Sequence, residues 1–447
     1  MTQHTPPPAE LARAAVTGVL DALAAGSNQA LVVDSPPGAG KSTLVVRAAR
    51  TLAAGGEQCI IVAQTNHQVD DLLVRLADPE APRLRLGRLT GHTYQVPDHV
   101  QELADSIISK DIKDVLACDV IVATAKKWAN IDGPRWRWAI IDEAYQMRSD
   151  ALLLIAKLFD QALFVGDPGQ LDPFSIIRSP RWIGLPHDPM NSAVTVLMNH
   201  NDAAMHTLPV SWRLPPSAAD LVSRAFYPFT PFQAGTAPDT RSLHFTTSGL
   251  HSPLDATVEE AARSGWALHE LPARHTARTD PEAAHATVAL AARLLARGAE
   301  AVCENHPSGR RLQPGDIAIG TAHREQARHI QQLLNRTPDT QGVRADTANR
   351  LQGREFAVTI VLHPLSGRRD ASAFHLEAGR LCVLASRHRH ACIMVARSGI
   401  ADLLDSHPSN DPVHLGVPAK FPDGWEAHQH VLDHLSPHRI RTASSRP

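Results

Sequence analysis

Ser35-Pro36-Pro37-Gly38-Ala39-Gly40-Lys41-Ser42 is the stretch that decides the fold. It lies between an apolar run, Ala30 to Val33, and a helix-like run, Thr43 to Leu52. A strand therefore delivers a loop of small residues whose backbone N–H groups can close around an anion, and the next helix aims its positive end at the same point. Lys41 can reach the β- and γ-phosphates of a nucleotide, and the Ser42 hydroxyl can ligate Mg²⁺. Ser35 stands where the G-x-x-x-x-G-K-[ST] pattern has its first glycine.

About one hundred residues on, the apolar strand Trp138-Ala139-Ile140-Ile141 runs into Asp142-Glu143-Ala144-Tyr145-Gln146. A continuous apolar run suits the core of a parallel sheet. Asp142 at its carboxyl end is the candidate Mg²⁺ ligand, and Glu143 the candidate base that orients and deprotonates the attacking water. The two segments together read as a P-loop NTPase. Strand-like runs Ala30–Val33, Cys59–Ala63, Val120–Ala123, Ala139–Ile141 and Ala162–Val165 alternate with helical patterns, the sign of a doubly wound, mostly parallel α/β domain. A helix is expected over about Ala9 to Ala24. A second α/β series starts near Leu208, with a strand at Ile317–Gly320, a helix at His323–Asn335, and strands at Val358–Leu362 and Cys392–Val395. Thr230 to Gly265, rich in Thr, Ser, Pro and Gly, reads as loops or a small insertion. The expected division is thus 1–207, 208–436 and a disordered tail over 437–447.

With 447 residues, 43% hydrophobic and 20% charged, the chain can bury two or three globular cores. A formal charge of −2 supplies no global field toward nucleic acid or an anionic membrane, so any such binding needs a local groove. Cys59, Cys118, Cys303, Cys382 and Cys392 are odd in number and scattered, which disfavours a disulfide framework or a zinc finger. No signal peptide pattern or membrane-length apolar run is present, and a cytoplasmic protein without a membrane partner is expected. Arg135-Trp136-Arg137-Trp138 leads straight into the strand before Asp142, so it reads as a strand edge with cation–π packing. His388, His390 and Cys392 alternate along one strand, a poor basis for a tetrahedral metal site.

Further strings occur in a fixed order: Ala63-Gln64-Thr65-Asn66-His67-Gln68-Val69-Asp70, Ala117 to Thr124, Asp142 to Gln146, and Gly166-Asp167-Pro168-Gly169-Gln170-Leu171. In the second half come Ser211-Trp212-Arg213-Leu214-Pro215-Pro216, Thr347 to Glu355, and Arg380 to Arg387. With the phosphate loop, this series resembles motifs I to VI of superfamily 1 helicases, in the up-frameshift-like branch that moves 5′ to 3′. The 34 residues before Ser35 leave no room for an N-terminal accessory barrel, so the resemblance is to a compact form with two tandem RecA-like P-loop domains, each a mostly parallel sheet flanked by helices. One departure is Ser386-Arg387-His388, where relatives have Thr-Arg-Ala.

The resemblance implies ATP and Mg²⁺ as cofactors, with Gly38, Ala39, Gly40, Lys41, Ser42, Thr43, Trp212, Gly353 and Glu355 at the nucleotide. Trp212 takes the place of an adenine-stacking aromatic, an ordinary core tryptophan being the other reading, and Glu355 that of a ribose acceptor, with a solvated Arg354–Glu355 ion pair as the alternative. Gln170 takes that of a γ-phosphate sensor. Arg213 and Arg387 are the candidate arginine fingers, so Lys41, Asp142, Glu143, Gln170, Arg213 and Arg387 form the expected catalytic set. Thr65, Asn66, Thr124, Thr321 and Thr347 are placed to hydrogen-bond successive phosphates of single-stranded DNA or RNA, although Thr and Asn at strand ends also serve as helix caps. The activity expected is an ATP-dependent translocase or helicase. Its rivals are an ATP-gated clamp that binds nucleic acid or a partner such as a nuclease, and a degenerate domain that binds nucleotide without turning it over.

Overall fold

The computed structural model describes residues 6–171, 191–199, 203–276, 279–408 and 423–442. These fall into two compact units. The described residues within Met1–Pro168 and Asp172–Pro209 form the first; those within Gly169–Leu171, Val210–Pro412 and Lys420–Pro447 form the second.

The first unit is built on β1 (Ala30–Asp34), β2 (Cys59–Ala63), β3 (Leu86–Leu89), β4 (Ser106–Ser109), β5 (Val120–Thr124), β6 (Trp136–Asp142), β7 (Phe159–Gly166) and β8 (Ala203–Thr207). They make one sheet in the order β4-β3-β5-β2-β6-β7-β1-β8, and every pairing is parallel. Side chains alternate across a strand. Leu31 and Val33 accordingly feed one core with Ile61, Ile140 and Leu163, while Ala30 and Val32 feed the other with Ile60, Ile141 and Phe164. Helices Pro8–Ala25, Lys41–Ala54 and Asn66–Leu76 cover the first face. Burial on both faces is why these strands read as unbroken apolar runs.

The second unit carries β9 (Val210–Ser211), β10 (Gln233–Ala234), β11 (Ser242–Phe245), β12 (Trp266–Leu271), β13 (Ala299–Cys303), β14 (His306–Arg311), β15 (Ile317–Thr321), β16 (Arg344–Thr347), β17 (Phe356–Leu362), β18 (His388–Arg397) and β19 (Arg439–Arg441). Its main sheet, β16-β15-β17-β18-β12-β19, is again wholly parallel. Beside it lie the short pair β9–β10 and an antiparallel sheet, β11-β13-β14. Both units are thus the α/β, mostly parallel sheets flanked by helices that the motifs imply.

Two expectations need correction. The stretch read as loops or a small insertion is not all loop: it contains a regular helix, Pro253–Ser264, started by the Ser252 cap on the Asp255 N–H with proline at its first turn, and anchored by Val258 and Ala261. The tail expected to be disordered over 437–447 is paired over Arg439–Arg441, where β19 lies beside Leu268–Glu270 and Arg439 and Arg441 both ion-pair with Glu270. Residues 443–447 lie outside the described residues.

One buried ion pair braces the first unit. Arg88 is 0% exposed; its guanidinium donates to Asp70 Oδ1 at 2.8 and 3.0 Å, to the Leu89 carbonyl and to Asn66 Oδ1. Tyr94 donates to the other Asp70 oxygen at 2.5 Å. Arg88→Ala leaves Asp70 buried with one neutral partner, and is expected to cost about 3–5 kcal/mol in denaturant unfolding followed by tryptophan fluorescence. A loss below 1 kcal/mol would mean that water reaches the carboxylate.

Candidate functional site

The phosphate-loop pattern folds as a cradle at the carboxyl end of β1. Ser35 N–H donates to the Gly166 carbonyl at 2.8 Å, tying the loop to β7. Gly38 and Gly40 have φ of +75° and +93°, a region that side chains with a Cβ avoid, and no heavy atom lies within 4 Å of a Cβ built on Gly40. At Gly40 the requirement is therefore backbone conformation rather than room. Gly40 caps the helix Lys41–Ala54, which places Ser42 and Thr43 in its first turn. The departure at Ser35 has a consequence: its side chain is fully buried, and Oγ has no hydrogen-bond partner among the described residues.

Motif residues Lys41, Asp142 and Glu143 come together. Lys41 Nζ lies 2.9 and 3.0 Å from the Glu143 carboxylate oxygens, with the two side chains 14% and 10% exposed. Gln146 donates to Glu143 Oε2 at 3.1 Å, and Glu143 N–H donates to Asp142 Oδ1 at 3.0 Å. Burial first, then the Glu143 charge, pushes the Asp142 carboxyl up to about 7. Glu143 has φ +51° and ψ +46°, a left-handed conformation that costs a non-glycine residue about 1–3 kcal/mol and concentrates at functional sites. Tyr145 donates to Asp34 Oδ1 at 2.5 Å, so the segment after Glu143 is pinned to the strand that feeds the cradle.

In the second unit Arg213 is 9% exposed, and its Nη2 donates to Glu355 Oε1 at 3.1 Å. Its Nε and Nη1 are buried without a hydrogen-bond partner among the described residues. Glu355 also lies 3.9 Å from Arg389. Burial raises the Glu355 pKa, but the charges of Arg213, Arg389 and Arg387 outweigh it and hold the carboxylate below its ordinary range. Glu355 thus pairs with Arg213 rather than with its neighbour Arg354. Arg387 is buried, donating to the Val383 carbonyl at 3.2 Å and to Ser386 Oγ at 3.0 Å. Trp212 is 40% exposed, so the core reading of it fails. Gly235 lies flat against its indole, where a Cβ would come 2.4 Å from Cε3. Gly353 has φ +78°. Gln170 and Leu171 group with this unit: Leu171 joins its core, and Gly379 packs on the Gln170 backbone.

The phosphate-contact candidates sit at strand ends. Thr65 and Thr124 also cap helices, accepting from the Gln68 and Lys127 N–H groups at 3.3 Å. Asn66 is held by Arg88. Thr321 is buried at the end of β15, and Thr347 precedes the helix Ala348–Leu351 without using its side chain as a cap. Trp136-Arg137-Trp138 opens β6, with Arg135 just before it; the tryptophans are buried and the arginines exposed, as expected, but Arg135 and Arg137 make ion pairs with Asp160 and Glu57 where cation–π packing was expected. No group of three or more His, Cys, Asp and Glu among the described residues has metal-holding geometry. No described helix is long and apolar enough to cross a membrane.

Sequence reasoning missed Asp34, Arg88 and Arg241, whose guanidinium donates to the Trp212 and Arg213 carbonyls. Asp34 adjoins the phosphate loop and could have been singled out; nothing local marks the two arginines, which act on partners distant in sequence.

Family models described as "AAA domain" match residues 17–176 and 190–399. The DNA replication ATP-dependent helicase/nuclease DNA2 of Gallus gallus is 24% identical over 371 residues, covering 80% of this chain and 34% of that protein. Its Arabidopsis thaliana counterpart JHS1 is 26% identical over 370 residues, covering 80% and 26%. The DNA-binding protein SMUBP-2 of Rattus norvegicus is 22% identical, covering 88% and 43%. The chain spans about a third of the length of the first of these relatives. Among solved structures, an Arterivirus nonstructural protein 10 helicase with DNA superposes with a TM-score of 0.44 at 14% identity, covering 87% of this chain and 65% of that one.

Proposed function

We propose that this chain, which belongs to the superfamily 1 helicases, uses ATP hydrolysis to move 5′ to 3′ along single-stranded nucleic acid, with DNA as its track. The observation that carries the reading is the pairing of Lys41 with Glu143 at the mouth of the phosphate loop. A triphosphate in the cradle competes for Lys41, and Glu143 is then released to orient and deprotonate the attacking water. Ser42 and Asp142 offer the hard oxygen donors that suit Mg²⁺, which when bound would neutralise phosphate charge. Nε and Nη1 of Arg213, without a hydrogen-bond partner among the described residues, support its assignment to the transferring phosphoryl group, with Arg387 as the second cation and Gln170 as sensor. Trp212 and Glu355 are assigned to base and ribose, and Thr65, Asn66, Thr124, Thr321 and Thr347 to the phosphates of the strand.

The DNA assignment draws on the names of the relatives, a DNA replication helicase/nuclease and a DNA-binding protein, as does the suggestion of a nuclease partner. All five cysteines are buried free thiols, which suits the reducing cytoplasm. The test is steady-state ATPase with and without single-stranded DNA or RNA of mixed sequence. We expect DNA to raise kcat by an order of magnitude or more, and RNA to do less. Arrival times at a labelled 5′ or 3′ end should lengthen with strand length, because a motor travels and a clamp does not. A rate indifferent to both nucleic acids would overturn the proposal.

A further inference from the structure

Arg241 lies just before β11, and its side chain is 2% exposed. Its guanidinium is used on three sides. Nη2 donates to the Trp212 carbonyl at 2.7 Å, Nη1 donates to the Arg213 carbonyl, and Nε donates to Glu304 at 3.0 Å. Glu304 stands in the turn between β13 and β14, so the small antiparallel sheet reaches back to the segment that carries Trp212 and Arg213. Burial raises the Glu304 pKa, but the Arg241 hydrogen bond and charge outweigh it and hold the carboxylate below its ordinary range.

The flanks of that segment are fixed by other means. Ser211 pairs with Ala234 in β9–β10, and Gly235 N–H donates to its carbonyl at 2.7 Å. Leu214 is fully buried, and its N–H donates to Ser211 Oγ. Trp212 and Arg213 span the gap, and Arg241 holds both of their carbonyls with one rigid fork. A lysine ammonium has three donors but no planar fork that matches two consecutive carbonyls and a carboxylate at once.

We propose that Arg241, oriented by Glu304, is a positioning residue that fixes the Trp212-Arg213 backbone, so that both side chains are presented to the nucleotide in one geometry. The proposal rests on the assignment of Arg213 to the transition state. It also gives the β11-β13-β14 sheet a function, since that sheet carries the carboxylate that anchors the fork.

The test is ATPase kinetics of the full chain at saturating single-stranded DNA, for Arg213→Ala, Arg241→Ala, Arg241→Lys, Glu304→Ala and the double variant Arg213→Ala/Arg241→Ala, each with a melting curve. A small misplacement of a catalytic group costs on the order of 10²-fold. Arg241→Ala should therefore lower kcat by about 10- to 100-fold with a higher KM for ATP, and Arg241→Lys should recover little of it. The double variant should be no slower than Arg213→Ala, because a misplaced side chain that is already absent cannot be lost again. A merely structural arginine would instead lower the melting temperature and multiply its kinetic defect onto that of Arg213→Ala. Should Arg241→Ala fail to fold, Glu304→Ala in the exposed turn carries the same expectation with a smaller drop in kcat. Unchanged kcat in Glu304→Ala and Arg241→Ala, with kcat lost in Arg213→Ala, overturns this proposal alone. Full activity in Arg213→Ala overturns the assignment of Arg213, and this proposal with it.

Discussion

Glu143→Gln is expected to reduce ATP turnover by about 10²- to 10⁴-fold, the span that a positioned general base contributes, while leaving ATP binding intact or tighter. The second half of that expectation comes from the Lys41 ion pair. Both partners are largely shielded from water at 2.9 Å, so the carboxylate competes with incoming phosphate for the ammonium. A neutral amide of the same shape keeps the packing and the Gln146 contact site but gives up the charge. Single-turnover hydrolysis and equilibrium binding of a fluorescent ATP analogue would measure the two effects separately. If KM rose and kcat held, Glu143 would be only the counterion of Lys41, and the attacking water would have to be activated elsewhere.

Arg213→Ala should be as damaging, by about 10³- to 10⁵-fold in kcat, the range that arginine fingers supply. Its guanidinium has one arm on Glu355 and two nitrogens, Nε and Nη1, without a hydrogen-bond partner among the described residues, which is costly for a buried charge unless an anion completes the site. Two roles can be separated. Were Arg213 present only to neutralise Glu355, then Glu355→Gln placed on top of Arg213→Ala would restore turnover. Where Arg213 acts on the phosphoryl group, the double variant stays dead. Rapid-quench measurement of the hydrolysis step in Arg213→Ala, Glu355→Gln and the double variant decides between them.

The central strands were legible because burial on both faces leaves them little choice of residue: Cys59–Ala63 and Ala139–Ile141 are apolar at every position. The outer strands were not. β3 contains Gly87 and the buried Arg88, β4 is only partly covered, and β8 exposes alternate residues, so none shows an unbroken run. The helix Pro253–Ser264 was hidden by its flanks, whose Ser, Thr and Gly content weighed more than the Ser-Pro start that marks a helix entry. At the site, Lys41, Asp142 and Glu143 could be read because their chemistry is local to two strand ends. The partners of Arg213 could not. Glu355 is 142 residues away, and the Arg241 clamp is held by backbone carbonyls, which carry no residue identity for a sequence to display.

The left-handed backbone at Glu143 has an implication for anyone who evolves this chain in the laboratory. A selection that rewards heat resistance alone favours residues at ease with positive φ, glycine and asparagine above all. Position 143 is one place where such a campaign is expected to trade the base proposed for hydrolysis, and its ion pair with Lys41, for a relaxed backbone. Libraries screened for durability should hold that codon fixed.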